Sequence, residues 1–327
     1  MDAQPNVPAT ADALFNAPDA DLVLRSSDNV EFAVQRSIVR LISTVFDDTL
    51  SLPQGPDADA TSVQMFEDSS TLRLLLQACY PRSVCNEPDL KNILDIKRAA
   101  ALAQKYDIAF LHEKVTKALC DYCDVSPALA YAVSWRFSYD GPLRVAARRS
   151  LDIRDFFKTL VDSEDAIEFE EITSTAFVHL YRYHSSVKGC LEGLLHHSKD
   201  RPITWIQPAR VEGLLMHAAN GGEPMCTCIT TLWFREEGNE RALQWQVYGW
   251  WWNYVCAVIS AVQSEYRAGL DIALDEPLLE WMRAAVSCDS CHGGIVAPRI
   301  LRETRHSLET AIEDCLRTIP LPLGMIS

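Results

Sequence analysis

The chain has 327 residues, of which 48% are hydrophobic and 23% are charged. Such a composition indicates a folded protein and excludes one that is mainly disordered, and the length predicts two domains. The 45 acidic residues outnumber the 30 basic residues, and the formal net charge is −15. Binding to nucleic acid needs clustered Lys and Arg that neutralise phosphates, so we expect no nucleic-acid partner.

The first twenty residues contain no Lys or Arg and no apolar run. Secretory signals require a basic segment followed by an apolar one, and transit peptides require Arg. We therefore expect a cytoplasmic or nuclear protein that keeps its eleven cysteines reduced.

The N-terminal elements begin with a lead-in and a hairpin. Residues 1–18 begin with a stretch rich in Pro, Ala, Asn and Thr, and we predict a flexible lead-in there. The run Asp21–Arg25 and the alternating run Val30–Gln35 then flank the turn residues Ser26–Asn29. Two such runs around an Asp-Asn turn predict a β-hairpin.

Helical periodicity follows the hairpin. Apolar residues recur at spacings of three and four along the next segment, which predicts one amphipathic helix that ends near Pro53. Its predicted apolar face comprises Ile38, Leu41, Ile42, Val45, Phe46 and Leu50.

A strand and three helices complete this part of the chain. The strand Ser62–Phe66 is predicted to carry Val63 and Met65 outward. The helices are predicted from the cap Asp68 to the stop at Pro81, from the Asn86–Pro88 region past Ala101, and from Leu111 to Tyr122.

These elements resemble the BTB/POZ domain family. That family has an Asp before the first strand, a hairpin, and a Ser-x-x-Phe sequence near the end of the next helix, which Asp21 and Ser43–Phe46 match. Leu72–Pro81 resembles the family's helix ending in Tyr, and Leu90–Leu119 resembles its closing helices. The resemblance implies an α+β BTB/POZ-like domain over residues 19–124 that binds protein partners or itself.

Two family features are absent from the sequence. The long helix that precedes the first strand in strand-exchanged dimers is at most the short stretch 11–18. The apolar-x-Glu signal of cullin adaptors is not found in the loop from Leu50 to Ser62, and Met65–Glu67, which has those letters, lies in the following strand. Recruitment of a cullin-type ubiquitin ligase is therefore an alternative that this loop does not support.

Residues 125–327 are predicted to form an all-α domain. Ala146–Arg148 and Tyr181–His184 resemble the helical extension that follows BTB domains in many fungal proteins. Between Arg241 and Glu265 lie 23 uncharged residues, but several polar side chains interrupt them. Gln246, Asn253 and Ser260 recur every seven residues opposite an apolar face, which indicates a buried helix and no membrane span.

Two cysteine pairs suggest a metal site. Cys226 and Cys228 are separated from Cys288 and Cys291 by 59 residues, and four thiolates suit tetrahedral Zn²⁺. His217 and His292 are further candidate ligands. The alternative is that these are small reduced core cysteines that bind no metal. Cys288–His292 also has the spacing of covalent haem attachment, which requires an exported or organellar setting and is not expected here.

No motif indicates catalysis. The sequence contains no Gly-x-Ser-x-Gly, no His-Glu-x-x-His and no glycine-rich phosphate loop. His184 and the pair His196–His197 have no recognisable nucleophile pattern, and the acidic run Glu168–Glu171 indicates a solvated surface. We expect a non-catalytic protein-interaction module; the alternatives are a cullin-type substrate adaptor and a zinc-stabilised protein built on the two cysteine pairs.

Overall fold

A computed structural model describes residues 10–51, 62–162, 173–218, 228–238, 240–264, 270–287 and 293–320. The chain divides between Ala146 and Ala147 into two compact units. This division lies after the predicted domain boundary at residue 124, which stays a prediction.

The N-terminal unit combines a mixed sheet with helices. The strand order is β1-β3-β2-β4, in which β2 and β3 form the predicted antiparallel hairpin while β1 and β4 add in parallel at the two edges. Its elements are β1 (Thr10–Asn16), β2 (Leu22–Arg25), β3 (Val30–Val34), α1 (Arg36–Ile42), α2 (Thr44–Ser51), β4 (Ser62–Gln64), α3 (Ser69–Cys79), α4 (Ile93–Tyr106), α5 (Ala109–Tyr122), α6 (Pro127–Arg136) and the first part of α7 (Asp140–Ser150).

One apolar cluster forms the core of this unit. Leu22 and Leu24 of β2 and Phe32 and Val34 of β3 are buried, as the alternation in the hairpin predicts. Helices α3, α4 and α5 contribute their apolar faces to the same cluster. Asp68 caps α3 by accepting a hydrogen bond from the amide of Thr71.

The predicted single helix from Ile38 to Leu50 is wrong, because Ser43 divides it into α1 and α2. The Ser43 backbone is extended, and its Oγ accepts a hydrogen bond from the Phe46 amide at 3.2 Å. The same hydroxyl donates to the carbonyl of Tyr106 at 2.5 Å. The break changes which side chains face inward, and Leu41 is 87% exposed.

The predicted direction of the β4 side chains is also wrong. Met65 is buried and Val63 packs against the core, so both point inward and not outward. The next residue, Phe66, lies in a bend after β4 and is exposed. Helix α4 begins at Ile93 and not at the Asn86–Pro88 region, because the Asn92 side chain caps it.

The predicted lead-in contains strand β1, whose anchor is Asp12. The Asp12 side chain is fully buried, and its Oδ1 accepts hydrogen bonds from the amides of Leu14 and Phe15 at 2.9 and 3.0 Å. Its Oδ2 accepts from Nε of Arg73 on α3 at 3.0 Å. Burial alone would raise the Asp12 pKa, but the Arg73 and backbone hydrogen bonds outweigh it and lower that pKa.

We predict that D12N lowers the free energy of unfolding by about 2 kcal/mol at pH 7, because a buried carboxylate that accepts four hydrogen bonds is lost. A lowered pKa contributes stability above the unfolded value of about 4 and loses it as pH falls through the folded value. The difference between wild type and D12N should therefore shrink below pH 4. Urea unfolding of the full chain and hydrogen exchange of β1 measure it. D48N, at an exposed carboxylate, is the control, and equal midpoints for D12N and wild type would contradict the role of Asp12.

The C-terminal unit is mainly helical but also contains a small sheet. Its three strands are antiparallel in the order β5-β7-β6, a feature that the prediction of an all-α domain did not include. Its elements are the end of α7, α8 (Phe156–Val161), α9 (Ser174–Gly193), a 3-10 turn (Pro208–Arg210), β5 (Leu215–Ala218), β6 (Ile229–Phe234), β7 (Leu243–Tyr248), α10 (Gly249–Ser264), α11 (Leu270–Asp275), α12 (Leu278–Val286) and α13 (Gly293–Thr318).

The long uncharged stretch before Glu265 is a strand followed by a helix. Residues 243–248 form β7, which pairs in continuous antiparallel register with β6 from Ile229 to Phe234. From Gly249 onward the predicted helix is present, with Trp251 fully buried and the polar Asn253 and Ser260 exposed. Among the described residues, no helix is long and apolar enough to span a bilayer.

A disulfide corrects the expectation that all cysteines are reduced. Cys190 on α9 and Cys315 on α13 are bonded, with their Cα atoms 6.0 Å apart. The two residues are 125 positions apart in the chain, so spacing in the sequence gave no indication of the pair.

Candidate protein-interaction surface

Phe66 is an exposed aromatic residue on the N-terminal unit. Its side chain is 90% exposed, whereas Phe15, Phe32 and Phe46 are at most 4% exposed. Met65 is buried, and Phe66 follows it in a bend of the chain just after the end of β4. Single exposed apolar side chains are common on protein surfaces, so the argument for Phe66 depends on its neighbours.

Fixed polar neighbours surround the Phe66 ring. The ammonium Nζ of Lys105, at the end of α4, lies 5.4 Å from the Phe66 ring centroid and 5.0 Å from that of Tyr106. Lys105 forms an ion pair with Glu67, and the Tyr106 hydroxyl donates to Oε2 of Glu67 at 2.9 Å. We call these four residues, Phe66, Glu67, Lys105 and Tyr106, the Phe66 platform.

The hydroxyl of Tyr106 in the Phe66 platform has a raised pKa. Burial, the adjacent Glu67 charge and the hydrogen bond to Glu67 together raise the Tyr106 pKa far above its usual value. Tyr106 therefore remains a neutral donor that orients Glu67, and Glu67 in turn holds Lys105. Because Glu67 and Tyr106 are already hydrogen-bonded to each other, a partner would lose little rotamer entropy by binding these two side chains.

Leu41 and Val45 expose further apolar surface on the helices beside the Ser43 break. Leu41 is 87% exposed and Val45 is 38% exposed. The break connects to the Phe66 platform, since Ser43 is hydrogen-bonded to the backbone of Tyr106 and the Phe46 ring stacks on the Tyr106 ring with centroids 4.5 Å apart. The helices that carry Leu41 and Val45 are thus connected to Tyr106 of the Phe66 platform by buried contacts of Ser43 and Phe46.

Residues 12–122 match the family model of the BTB/POZ domain. This part of the chain is a BTB/POZ domain. The resemblance found in the sequence is therefore confirmed, and the α+β class with a helical region after the domain is confirmed as well. Comparison of the whole chain with curated proteins gave no match.

The residues that carried the resemblance have structural roles in the BTB/POZ domain. Asp21 Oδ1 accepts a hydrogen bond from the Arg36 amide at 2.6 Å and so supports the start of α1. The Tyr80 hydroxyl accepts from the Gln35 amide at 2.8 Å, which ties the end of α3 to the end of the hairpin. Together with the Ser43 cap, these contacts explain why the motif residues are needed for the fold.

The predicted zinc ligands lie mostly outside the described residues. This applies to Cys226, Cys288 and Cys291, while Cys228 is described and is half-buried. Within the described ranges, no group of three or more His, Cys, Asp or Glu side chains is placed to hold a metal ion. The zinc site stays a prediction, and elemental analysis of the purified chain, with about one zinc expected per chain for a four-cysteine site, is the measurement that decides it.

The three histidines considered for catalysis lie in different environments. His184 shares a 2.7 Å hydrogen bond with Ser150 Oγ, but the Ser150 side chain is fully buried and also donates to the Ala147 carbonyl. A substrate cannot reach that hydroxyl, so the pair has a structural role. His196 and His197 are exposed, and the His197 ring contacts Trp252 at 5.3 Å.

The exposure of Phe66 and of Leu41 was not predicted from the sequence. The strand pattern could not indicate the exposure of Phe66, because that pattern was interpreted with Met65 outward, whereas the structure buries Met65. The signal for Leu41 was absent, because its exposure depends on the hydrogen bond from Ser43 to Tyr106, a residue 63 positions away.

Proposed function

We propose that this chain is a non-catalytic interaction protein whose BTB/POZ domain binds a protein partner through the Phe66 platform. BTB/POZ domains are protein–protein interaction modules, which gives the general role. The observation that carries the specific proposal is Phe66, which is 90% exposed beside a Lys105 that Glu67 already orients. The partner chemistry that fits is an apolar pocket for the ring with an acceptor at its edge for the ammonium group.

The energetics favour Phe66 as the central contact. Complete burial of a Phe side chain contributes about 1.5–3 kcal/mol, and interfaces depend on a few such anchors. Lys105 adds orientation more than affinity, since its side chain is 46% exposed and already paired with Glu67. A stable complex would bury about 1,200–2,000 Å² in total, so Leu41 and Val45 are candidates for the rest of the interface.

We predict that F66S weakens partner binding about 30-fold, because the hydrophobic contribution of the ring is lost. Affinity capture of the full chain with quantitative mass spectrometry measures which proteins depend on Phe66, and titration of the purified partner then measures the dissociation constant. L94S is the matched control, because Leu94 is a 56% exposed apolar residue on α4 of the same domain.

The outcomes separate the kinds of partner. A second copy of the chain is the partner if light scattering detects a dimer that F66S converts to a monomer. Subunits of a cullin-type ligase among the Phe66-dependent proteins would establish the adaptor alternative, although the loop from Leu50 to Ser62 lacks the adaptor signal. If F66S recovers every protein that wild type recovers, the Phe66 platform is not the binding surface. The cytoplasmic or nuclear location stays a prediction.

A further inference from the structure

A cavity of about 760 Å³ lies in the C-terminal unit, and none of its lining residues belongs to the Phe66 platform. Pockets of about 300–1,000 Å³ are the size that encloses small molecules. Its walls come from three stretches of chain, the approach to α8 and its first turn, the second half of α9, and the last turns of α10. The lining residues are Leu151, Ile153–Lys158, Tyr181, His184, Ser185, Val187, Lys188, Leu191, Ser260, Val262 and Gln263.

One wall of the cavity is aromatic. The Phe157 ring lies 4.9 Å from the His184 ring and 5.4 Å from the Tyr181 ring, centroid to centroid. Burial lowers the pKa of His184 to about 4, so its imidazole is an uncharged ring at neutral pH. Tyr181 is 56% exposed, which leaves one of its faces available to a ligand. Flat uncharged rings of this kind bind aromatic groups by stacking or edge contacts.

The rest of the lining carries positive charge. Arg154, Lys158 and Lys188 line the cavity with a single carboxylate, that of Asp155. Within the described part of the chain no ion pair engages Arg154 or Lys158, and the Lys188 ammonium lies 4.0 Å from Glu192, a weak contact. Three cations around one cavity run against the composition of this region, since residues 125–327 contain 26 acidic and 19 basic residues.

We propose that this cavity binds a small aromatic anion. Its ring would lie against Tyr181 and Phe157, and its carboxylate or phosphate would meet Arg154 and Lys158. Guanidinium and ammonium groups bind either anion through charge-assisted hydrogen bonds. This site is independent of the partner-binding surface, so the two proposals can fail separately.

The test is a titration of the full chain with four probes, measured by isothermal calorimetry. They are 1-naphthoate, 1-naphthyl phosphate, the neutral 1-naphthalenemethanol, and inorganic phosphate alone. We expect saturable binding of one or both naphthyl anions with a dissociation constant below about 0.5 mM, because a ligand of this size can reach that affinity. Whichever anion binds more tightly identifies the anionic group that the cavity recognises. The alcohol and inorganic phosphate should bind at least about 10-fold more weakly, since each offers one half of the recognised chemistry.

Matched variants locate the binding site. K158E should weaken binding of the naphthyl anion about 10-fold, and Y181A about 5-fold. K199E is the control for K158E, because it makes the same charge change at an exposed residue outside the lining. V178A is the control for Y181A, because it removes apolar surface from α9 outside the lining. Both control variants should bind the anion as wild type does. Affinity should also fall several-fold between 50 and 500 mM salt, because the attraction is electrostatic at the rim.

Three results would overturn the proposal. The first is the absence of saturable binding for both naphthyl anions. The second is equal affinity for the alcohol and for the naphthyl anions, which would show that the cations do not contribute to binding. The third is unchanged affinity in both K158E and Y181A, which would place the anion elsewhere on the chain.

Discussion

Reduction of the Cys190–Cys315 disulfide is expected to lower the free energy of unfolding of the C-terminal unit by about 4 kcal/mol. The bond joins α9 to α13 across 125 positions of chain, and closing so long a loop restricts the unfolded state strongly. The measurement is chemical denaturation of the full chain with and without reductant. Tryptophan fluorescence reports this unit, because every tryptophan except Trp135 lies after Ala146.

Variants separate the disulfide from other effects of the reductant. C190A/C315A should unfold at the midpoint of the reduced wild type and should not respond to reductant. C256S is the control, because Cys256 is a half-buried free cysteine in the same unit; it should keep the full response. A wild-type midpoint that does not change on reduction, or two free thiols at these positions by mass spectrometry of the unreduced chain, would contradict the bond.

Replacement of Trp251 by Ala is expected to cost about 4 kcal/mol of stability. Its side chain is completely buried, and its indole Nε1 donates to Thr304 Oγ1 at 2.7 Å. The ring also contacts Phe234 of β6 and Trp205, with centroids 6.4 and 6.5 Å apart. Loss of this residue therefore removes contacts to the small sheet, to α13 and to the segment before the 3-10 turn at once.

The contribution of the Trp251–Thr304 hydrogen bond is measurable on its own. W251F keeps most of the ring volume and T304V keeps the shape of the partner, and the double-mutant cycle should give a coupling of about 1 kcal/mol. W252A, at the half-buried neighbouring position, should cost clearly less than W251A when unfolding is followed by circular dichroism. Equal costs for W251A and W252A would show that Trp251 is not the central contact.

These stability predictions concern the unit that follows the BTB/POZ domain, and they support the functional tests. A cavity built from α8, α9 and α10 keeps its shape only while those helices remain packed, and the disulfide holds α9 to α13. Binding of the naphthyl anion is therefore expected to weaken in the reduced chain. The Phe66 platform belongs to the other unit, and F66S should leave the fluorescence-detected unfolding transition unchanged.

The sequence by itself determined the features that depend on neighbouring residues. The hairpin of Leu22–Val34 follows from alternation and a turn, and α3 and α5 follow from helical spacing with a cap at Asp68. Their order was enough to indicate the BTB/POZ domain. Each of these features depends on residues within a few positions of one another, so periodicity and capping chemistry are sufficient to predict them.

Only the tertiary structure decided the features that depend on distant residues. Ser43 breaks its helix because the Tyr106 carbonyl accepts its hydroxyl, and β1 forms in the lead-in because Arg73 reaches Asp12. The pair Cys190–Cys315 likewise depends on residues far apart in the chain. No local pattern encodes such contacts, since burial and hydrogen bonding with remote groups override local propensity. The surface of Phe66 and the cavity beside Tyr181 are therefore properties of the folded chain.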